Sequence, residues 1–201
     1  MRDLLLPHLV LASRSPRRAE ILAVVGWPFE VVVAGVDESR NNHEDAIAYV
    51  ERLAESKARA VAVKLPDRLV LGADTTVVVN NQILGQPIDA EDAKRMLTLL
   101  NDRWHDVITG VAIISSGREM TCLVRHERTR VRFAKMSDQQ IDWYIATGEP
   151  MDKAGAYAVQ GKAGLFIEEI QGDYFNVVGL PIRLVYEMAI GIQRGKMSDK
   201  L

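Results

Sequence analysis

Regular structure in this chain is predicted to begin with the stretch His8-Leu-Val-Leu-Ala-Ser-Arg-Ser-Pro-Arg-Arg18. Its apolar run, Leu9 to Ala12, is typical of a buried strand. Pro16 suits the first position of a helix, where its missing N–H has no partner to lose, and Ser15 is the predicted N-cap. Helix N–H groups, the positive end of the helix dipole and guanidinium groups all favour a phosphate. The stretch therefore predicts either a phosphate-binding turn or an ordinary strand–loop–helix connection with solvated arginines.

Length, charge and cysteine content narrow the class of protein. The 201 residues suit one domain or two small lobes, and 48% of them are apolar, which is enough for a sizeable core. The formal net charge of −2 argues against bulk binding to nucleic acid, which needs a basic surface. We expect no membrane span and no signal peptide, because no apolar run has the required length or form. Cys122 is the only cysteine, so no intramolecular disulfide can form and a reducing cytoplasm is expected.

Strand and helix patterns alternate along the chain, which is typical of an α/β fold with a mixed sheet. Strands are predicted at 9–12, 29–33, 69–79, 83–84, 107–114, 121–133 and 165–170. Helices are predicted at 16–25, 43–63 with Asn42 as the cap, 89–100, 137–145 with Ser137 as the cap, and 181–192. Turns are expected at Asn80-Asn81 and at 115–117. We expect a single domain of two lobes over residues 1–192 and a polar tail over 193–201.

Several common catalytic signatures are absent from the sequence. It contains no G-x-G-x-x-G, no Walker P-loop, no H-E-x-x-H and no G-x-S-x-G, and one cysteine cannot build a zinc cage. The chemistry that remains relies on carboxylates, lysines and arginines.

Two charged side chains lie at apolar positions of the pattern. Asp74 lies inside the strand 69–79, beside Gly72-Ala73, where a carboxylate is costly without a partner and where small residues let a ligand approach. It is either a buried aspartate satisfied by local N–H groups or a metal ligand or general base. Lys57 borders the apolar stripe of its predicted helix, so it either extends to solvent or points into a site that holds an anion.

Three loops supply further candidates. Asp37-Glu38 follow a strand end, where they are either solvated turn residues or functional carboxylates. The segment 147–161 combines glycines, a proline, two acids and a lysine, so it is either a plain connector or a loop whose amides approach a ligand. The segment 172–181 is predicted to be a loop leading to a helix whose N-terminus could serve a second anion.

Together these passages resemble the Maf family of nucleoside triphosphate pyrophosphatases. Eight short motifs occur in the family's order and span nearly the whole chain. They are Ala12-Ser-Arg-Ser-Pro-Arg-Arg18, Glu55-Ser-Lys-Ala58, Gly72-Ala-Asp-Thr75, Thr109-Gly-Val111, Gly148-Glu-Pro150, Asp152-Lys-Ala-Gly-Ala-Tyr157, Val159-Gln-Gly161 and Val178-Gly-Leu-Pro181. Each motif is weak alone, but the ordered set is specific.

The resemblance implies a Maf/Ham1 (ITPase-like) α/β fold, in which an elongated mixed sheet with flanking helices forms two lobes around a central cleft. It implies cleavage between the α- and β-phosphates of a nucleoside triphosphate, with Mg²⁺ or Mn²⁺ as cofactor, as part of nucleotide-pool house-cleaning. It also sorts this chain within the family. Arginine, threonine and glutamine at three positions are typical of the dTTP/UTP group, and here those positions are Arg17, Thr75 and Gln160. The 7-methyl-GTP group tends to have Trp, Gln and Glu there.

The combined hypothesis gives each candidate a role. The triphosphate would be held by basic and hydroxyl side chains, namely Ser13, Arg14, Arg18, Lys57 and Lys153. Asp74 and Glu38 would hold the metal, and Asp74, with Lys57 and Glu38 as its catalytic partners, would be the proton acceptor that activates water. The base would be read by Arg17, Thr75 and Gln160. Gln86 stands where the family usually has a lysine; if that lysine contacts phosphate, this chain has one positive charge fewer at the site.

Two alternatives stay open at this point. The first keeps the chemistry but replaces dTTP, UTP and modified pyrimidine nucleotides with other modified nucleotides or with purine nucleotides such as 7-methyl-GTP. The second is a non-catalytic nucleotide-binding regulator of cell division and septum formation. Retention of Asp74, Lys57 and Glu38 favours catalysis. The expected partners are the nucleotide and a second copy of the chain, since homodimers are common, with no nucleic acid and no membrane.

Overall fold

The computed structural model describes residues 6–117, 120–193 and 195. The strands are β1 (Leu9–Leu11), β2 (Phe29–Val31), β3 (Leu69–Val79), β4 (Gln82–Leu84), β5 (Trp104–Ser116), β6 (Met120–Phe133) and β7 (Ile167–Gln171). The helices are α1 (Pro16–Val24), α2 (Ala46–Ala62), α3 (Ala90–Leu100), α4 (Asp138–Ala146), α5 (Tyr174–Val178) and α6 (Ile182–Gln193). Short 3₁₀ turns cover Glu149–Asp152, Ala154–Ala156 and Lys162–Phe166.

The strands form one mixed sheet in the order β2-β1-β3-β5-β6-β7, with β4 paired to β3. Strand β1 is parallel to both β2 and β3, with Leu9 opposite Phe29 and Leu69. Strands β3 and β4 are antiparallel and joined by a tight turn, in which Asn80 and Asn81 both have positive φ angles. Strand β7 pairs antiparallel with β6. The prediction of an α/β fold with a mixed sheet and flanking helices is confirmed.

The chain divides into two compact units, each with its own core. The first contains residues 1–74, 109–127 and 179–201, and its core joins α2 to β1 and β3 through small apolar side chains such as Val10, Ala54 and Ala58. The second contains residues 75–108 and 128–178, and its core is richer in aromatic side chains, including Phe133, Tyr144 and Tyr157. No helix within the described residues is long and apolar enough to cross a membrane.

Several predicted boundaries are wrong. Helix α2 begins at Ala46 and not at His43, because Asp45, rather than Asn42, accepts the Ala48 N–H at 2.8 Å and so is the cap. His43 has a φ of 63°, which no helix can include. Strand β1 ends at Leu11, one residue before the predicted end, and β2 ends at Val31, two residues before it. Ser115 and Ser116, predicted to turn, lie within β5.

Ser15 occupies the N-cap position of α1 as predicted, but its side chain makes no capping hydrogen bond. Its own N–H donates instead to Ser13 Oγ at 3.1 Å. The segment 172–181, predicted to be a loop, contains helix α5, whose start is held by Asp173 Oδ1 accepting the Phe175 N–H at 2.7 Å. Strand β7 begins at Ile167 rather than Leu165, because the preceding residues form a 3₁₀ turn. Of the predicted tail 193–201, residues 194 and 196–201 lie outside the described residues, as do 1–5.

Candidate active site

The first unit packs helix α2 directly on strand β3. A Cβ atom added to Gly72 would lie only 2.1 Å from the Ala54 carbonyl oxygen, so the contact requires glycine at this position. Side chains two apart on a strand project from the same face, so Asp74 points to the same side as that contact. Lys57 lies one turn beyond Ala54 on α2. The close approach therefore brings Lys57 against Asp74.

Lys57 is a buried ammonium held between two carboxylates. Its Nζ lies 2.7 Å from Asp74 Oδ1 and 3.0 Å from Glu38 Oε1. Lys57 and Asp74 are each only 8% exposed, whereas Glu38 is much more open to solvent. Lys57 therefore does not extend to solvent, which was one of its two predicted placements. Asp74 is paired with a lysine side chain rather than only with local N–H groups. An ion pair this deep in the protein is costly to bury, which is typical of a functional site.

Burial sets the acidity of this cluster. Desolvation raises the pKa of Asp74 above its usual value, although Lys57 and Arg18 act in the opposite direction. Desolvation likewise lowers the pKa of Arg18, and the negative charges of Asp74 and Glu38 oppose that shift. Arg18 therefore belongs to the same electrostatic cluster. A carboxylate with a raised pKa is a better proton acceptor than an ordinary aspartate.

The turn before α1 is fixed by Arg18. Its Nε donates to the Gly179 carbonyl oxygen at 2.8 Å, and its Nη1 donates to Ser13 Oγ at 3.1 Å. Ser13 and Arg18 are both buried, whereas Arg14 is exposed and Arg17 is partly exposed. The buried pair holds the turn in place, and Arg14 is the most exposed of its three arginines.

The loop that carries Glu38 is tied to α2 by residues that the sequence analysis missed. Tyr49 donates its hydroxyl to the Glu38 carbonyl oxygen at 3.0 Å, and Arg52 Nη2 donates to the Ser39 carbonyl oxygen at the same distance. Arg52 also forms a two-pronged pair with Glu44, at 2.6 and 2.7 Å. Tyr49 and Arg52 are three residues apart on the helix that bears Lys57, and that spacing was the signal available in the sequence.

The second unit contains the other predicted substrate residues, Thr75, Lys153 and Gln160. Lys153 Nζ donates to the Glu149 carbonyl oxygen at 3.1 Å and pairs with the Asp152 carboxylate. Gln86 Nε2 donates to the Asp152 carbonyl oxygen at 3.2 Å, so it lies at the turn that also bears Lys153. Thr75 is partly buried, and Gln160 is exposed.

The carboxylates beside Lys57 are of the kind that a divalent cation can share with a substrate. Among the described residues, no group of three or more histidine, cysteine or acidic side chains is arranged to hold a metal ion. Asp74 and Glu38 nevertheless each contact Lys57 Nζ, at 2.7 and 3.0 Å, so two carboxylates lie beside the same side chain. Mg²⁺ is commonly bound by one or two carboxylates together with substrate phosphates, so two protein ligands are enough.

Comparison with known proteins gives the family. Residues 8–191 match the family described as Maf-like protein. The chain belongs to this family. Two relatives named dTTP/UTP pyrophosphatase, from Symbiobacterium thermophilum and Moorella thermoacetica, are 53% and 52% identical to it. Each alignment covers 90% of this Maf-like chain and 92% of the relative.

A solved structure supports the fold. The Ham1 protein of Staphylococcus aureus superposes with a TM-score of 0.54 at 17% identity, over 92% of this chain and 99% of that one. At that identity the likeness concerns the fold alone. The expected Maf/Ham1 fold is confirmed.

Proposed function

We propose that this Maf-like chain is a nucleoside triphosphate pyrophosphatase that hydrolyses dTTP and UTP to the monophosphate and pyrophosphate. The observation that carries the proposal is the buried Lys57–Asp74 pair with Glu38 beside it. Relatives that are identical to this chain at about half of the positions, over about nine-tenths of its length, are named dTTP/UTP pyrophosphatase. Their names support the same reaction and the same bases.

Asp74 is the proton acceptor in this proposal. Its carboxylate takes a proton from a water molecule while the water oxygen forms a bond to the α-phosphorus in line with the leaving group. The bond between the α-phosphorus and the bridging oxygen breaks, and pyrophosphate departs with the electron pair. Lys57 orients Asp74 through its 2.7 Å contact. Its charge, with that of Arg18, stabilises the negative charge that develops on the leaving group.

A divalent cation, Mg²⁺ or Mn²⁺, would be held by Asp74 and Glu38. When bound, such an ion stabilises negative charge on the phosphates and helps to orient them. Ser13, Arg14, Arg18, Lys57 and Lys153 would provide the remaining contacts to the triphosphate. Gln86 supplies a neutral amide where the family usually has a lysine, so the chain relies on these other basic groups for affinity.

Arg17, Thr75 and Gln160 would read the base. Thymine and uracil present two carbonyl acceptors and one N–H donor at their pairing edge, and a glutamine amide can both donate and accept. Cytosine presents a different pattern of donors and acceptors at this edge. A polar group of the site that loses its hydrogen-bond partner when the wrong base binds lowers kcat/KM for that nucleotide by a large factor. We further propose that the enzyme is cytoplasmic and forms a homodimer. A mass in solution equal to that of one chain, 22.4 kDa, would contradict the homodimer.

The test is a substrate panel with product identification. Wild-type protein is incubated with Mg²⁺ or Mn²⁺ and dTTP, UTP, CTP, GTP or 7-methyl-GTP, and pyrophosphate and monophosphate are measured separately. We expect fast pyrophosphate release from dTTP and UTP only. Pyrophosphate release from 7-methyl-GTP, and not from dTTP or UTP, would assign 7-methyl-GTP as the substrate. No release from any nucleotide, with nucleotide still bound, would favour the non-catalytic regulator.

A further inference from the structure

Gln160 lies in a tight turn whose two ends are held by other side chains. The Gly161 N–H donates to the Ala158 carbonyl oxygen at 3.0 Å, which closes a four-residue turn with Gln160 in its third position. Gln160 itself is exposed, whereas Ala158 is buried. The side chain proposed to read the base therefore projects from a turn whose orientation must be set elsewhere.

One pair of side chains binds the first residue of this turn and the residue that follows its last. Tyr144, on helix α4 and 1% exposed, accepts the Ala158 N–H on its hydroxyl oxygen at 3.2 Å. The same hydroxyl donates to Glu149 Oε1 at 2.9 Å. The two carboxylate oxygens of Glu149 accept the Lys162 N–H at 2.9 and 3.1 Å. The turn, Tyr144 and Glu149 thus form a closed ring of hydrogen bonds.

The fit of Glu149 against the turn depends on Gly161. A Cβ atom at position 161 would lie 2.4 Å from Glu149 Oε1, which is far inside van der Waals contact. Because the carboxylate is fixed by Tyr144 and by the Lys162 N–H, it could not move away without losing those hydrogen bonds. Burial and the neighbouring Glu149 raise the pKa of Tyr144, so its hydroxyl keeps the proton that it donates.

Glu149 also reaches the proposed phosphate contact. Its carbonyl oxygen accepts a hydrogen bond from Lys153 Nζ at 3.1 Å. One short segment, Glu149–Asp152, is therefore bonded to both the turn of Gln160 and the side chain of Lys153. The residue before the turn is held as well, since His105 Nε2 lies 2.8 Å from the Tyr157 hydroxyl.

We infer that Tyr144 and Glu149 are positioning residues that fix the turn bearing Gln160 and so set the preference for thymine and uracil over cytosine. The inference rests on the proposed function, because it takes Gln160 as a contact to the base. A side chain discriminates between bases only if its donor and acceptor are held in place, and a loose turn would let the amide adjust to either base. Neither positioning residue needs to touch the substrate.

The test compares kcat/KM for dTTP with kcat/KM for dCTP. The variants are Tyr144→Phe, which removes only the hydroxyl, and Glu149→Gln, which keeps the shape but weakens acceptance from the Lys162 N–H. Gln160→Ala is the benchmark for loss of the contact itself. The matched controls are Tyr174→Phe and Glu169→Gln, on exposed positions of the same unit. We expect the dTTP-to-dCTP ratio to fall about tenfold in Tyr144→Phe and in Glu149→Gln, and not in the controls.

A merely structural role would lower kcat/KM for both nucleotides by the same factor and leave the ratio unchanged. That result in both variants, with the ratio lowered in Gln160→Ala, would overturn the inference and leave the proposed function intact. An unchanged ratio in Gln160→Ala would overturn the role of Gln160 and, with it, the inference. Absence of pyrophosphate release from the wild type would overturn the proposed function first.

A second measurement does not depend on activity. Amide hydrogen exchange resolved by residue should be faster at Ala158 in Tyr144→Phe and faster at Lys162 in Glu149→Gln, by about tenfold or more than in the matched controls. Exchange unchanged at both amides would show that the ring does not hold the turn, and would contradict the inference whatever the nucleotide ratios.

Discussion

At the scale of single residues, the structure shows that Lys57 and Asp74 are buried and paired with each other. Lys57 and Asp74 were identified because a charge at an apolar position is expensive without a partner. The sequence could not show that each is the partner of the other, since the pairing depends on how closely α2 approaches β3. Tyr49 and Arg52 escaped notice, and Glu149 was quoted within a motif but given no role, because polar residues outside an apolar pattern are ordinary.

His105 provides a prediction at the same scale. It is 3% exposed beside Phe133 and Tyr157, and burial lowers its pKa from 6.5 to about 3. Below pH 6.5 the unfolded chain therefore binds a proton that the folded chain does not. We therefore expect the free energy of unfolding to decrease as the pH is lowered from 6.5 to 5. This residue contributes a loss of up to ~1.4 kcal/mol per pH unit.

Urea unfolding at pH 7.5, 6.5, 5.8 and 5.0 measures this effect. His105→Gln, which keeps a polar partner for Tyr157 but cannot take up the proton, serves as the comparison. The wild type should lose more stability than the variant over this interval. Parallel curves for the two proteins would mean that His105 is not held neutral by its surroundings.

At the scale of elements, the predictions held where local pattern dominates and were wrong where distant contacts decide. Strand 69–79 was predicted to the residue, because its apolar run is long and ends at the Asn80-Asn81 turn. The start of α2 is an exception, since several cap residues compete locally and Asp45 is the one whose side chain accepts the Ala48 N–H. The 3₁₀ turn at Lys162–Phe166 was missed because its first N–H is bound by Glu149, thirteen residues away. No local pattern contains that information.

The contact between α2 and β3 gives the prediction for this scale. Gly72→Ala should lower the free energy of unfolding by about 1–3 kcal/mol, because the new Cβ meets the Ala54 carbonyl oxygen and the backbone must shift. The same shift separates Lys57 from Asp74, so pyrophosphate release should fall in protein that is still folded. Urea unfolding and a pyrophosphate assay on the same sample measure both effects.

Gly85→Ala is the matched control, since a Cβ there has no atom within 4 Å. It should change the free energy of unfolding by less than about 0.5 kcal/mol. Equal stability of the two variants would contradict the view that close packing of α2 on β3 positions the cluster.

At the scale of the whole molecule, composition and periodicity predict an α/β protein and go no further. The ordered set of motifs identified the family, and the match of residues 8–191 to the Maf-like family confirms it. Likeness to Ham1 at 17% identity shows that the same fold is reached by very different sequences. The function therefore has to be argued from the site around Lys57 and Asp74 rather than from the fold.

The proposed mechanism is tested most directly by pyrophosphate release from dTTP by wild type and Asp74→Asn, measured at equal concentrations of folded protein. Asparagine preserves the size of the side chain and can still accept a hydrogen bond from Lys57, but it cannot take a proton from water. We predict a fall in kcat of about 10²-fold or more, with the thermal midpoint largely retained. Turnover equal to that of the wild type would contradict the assignment of Asp74 as the proton acceptor.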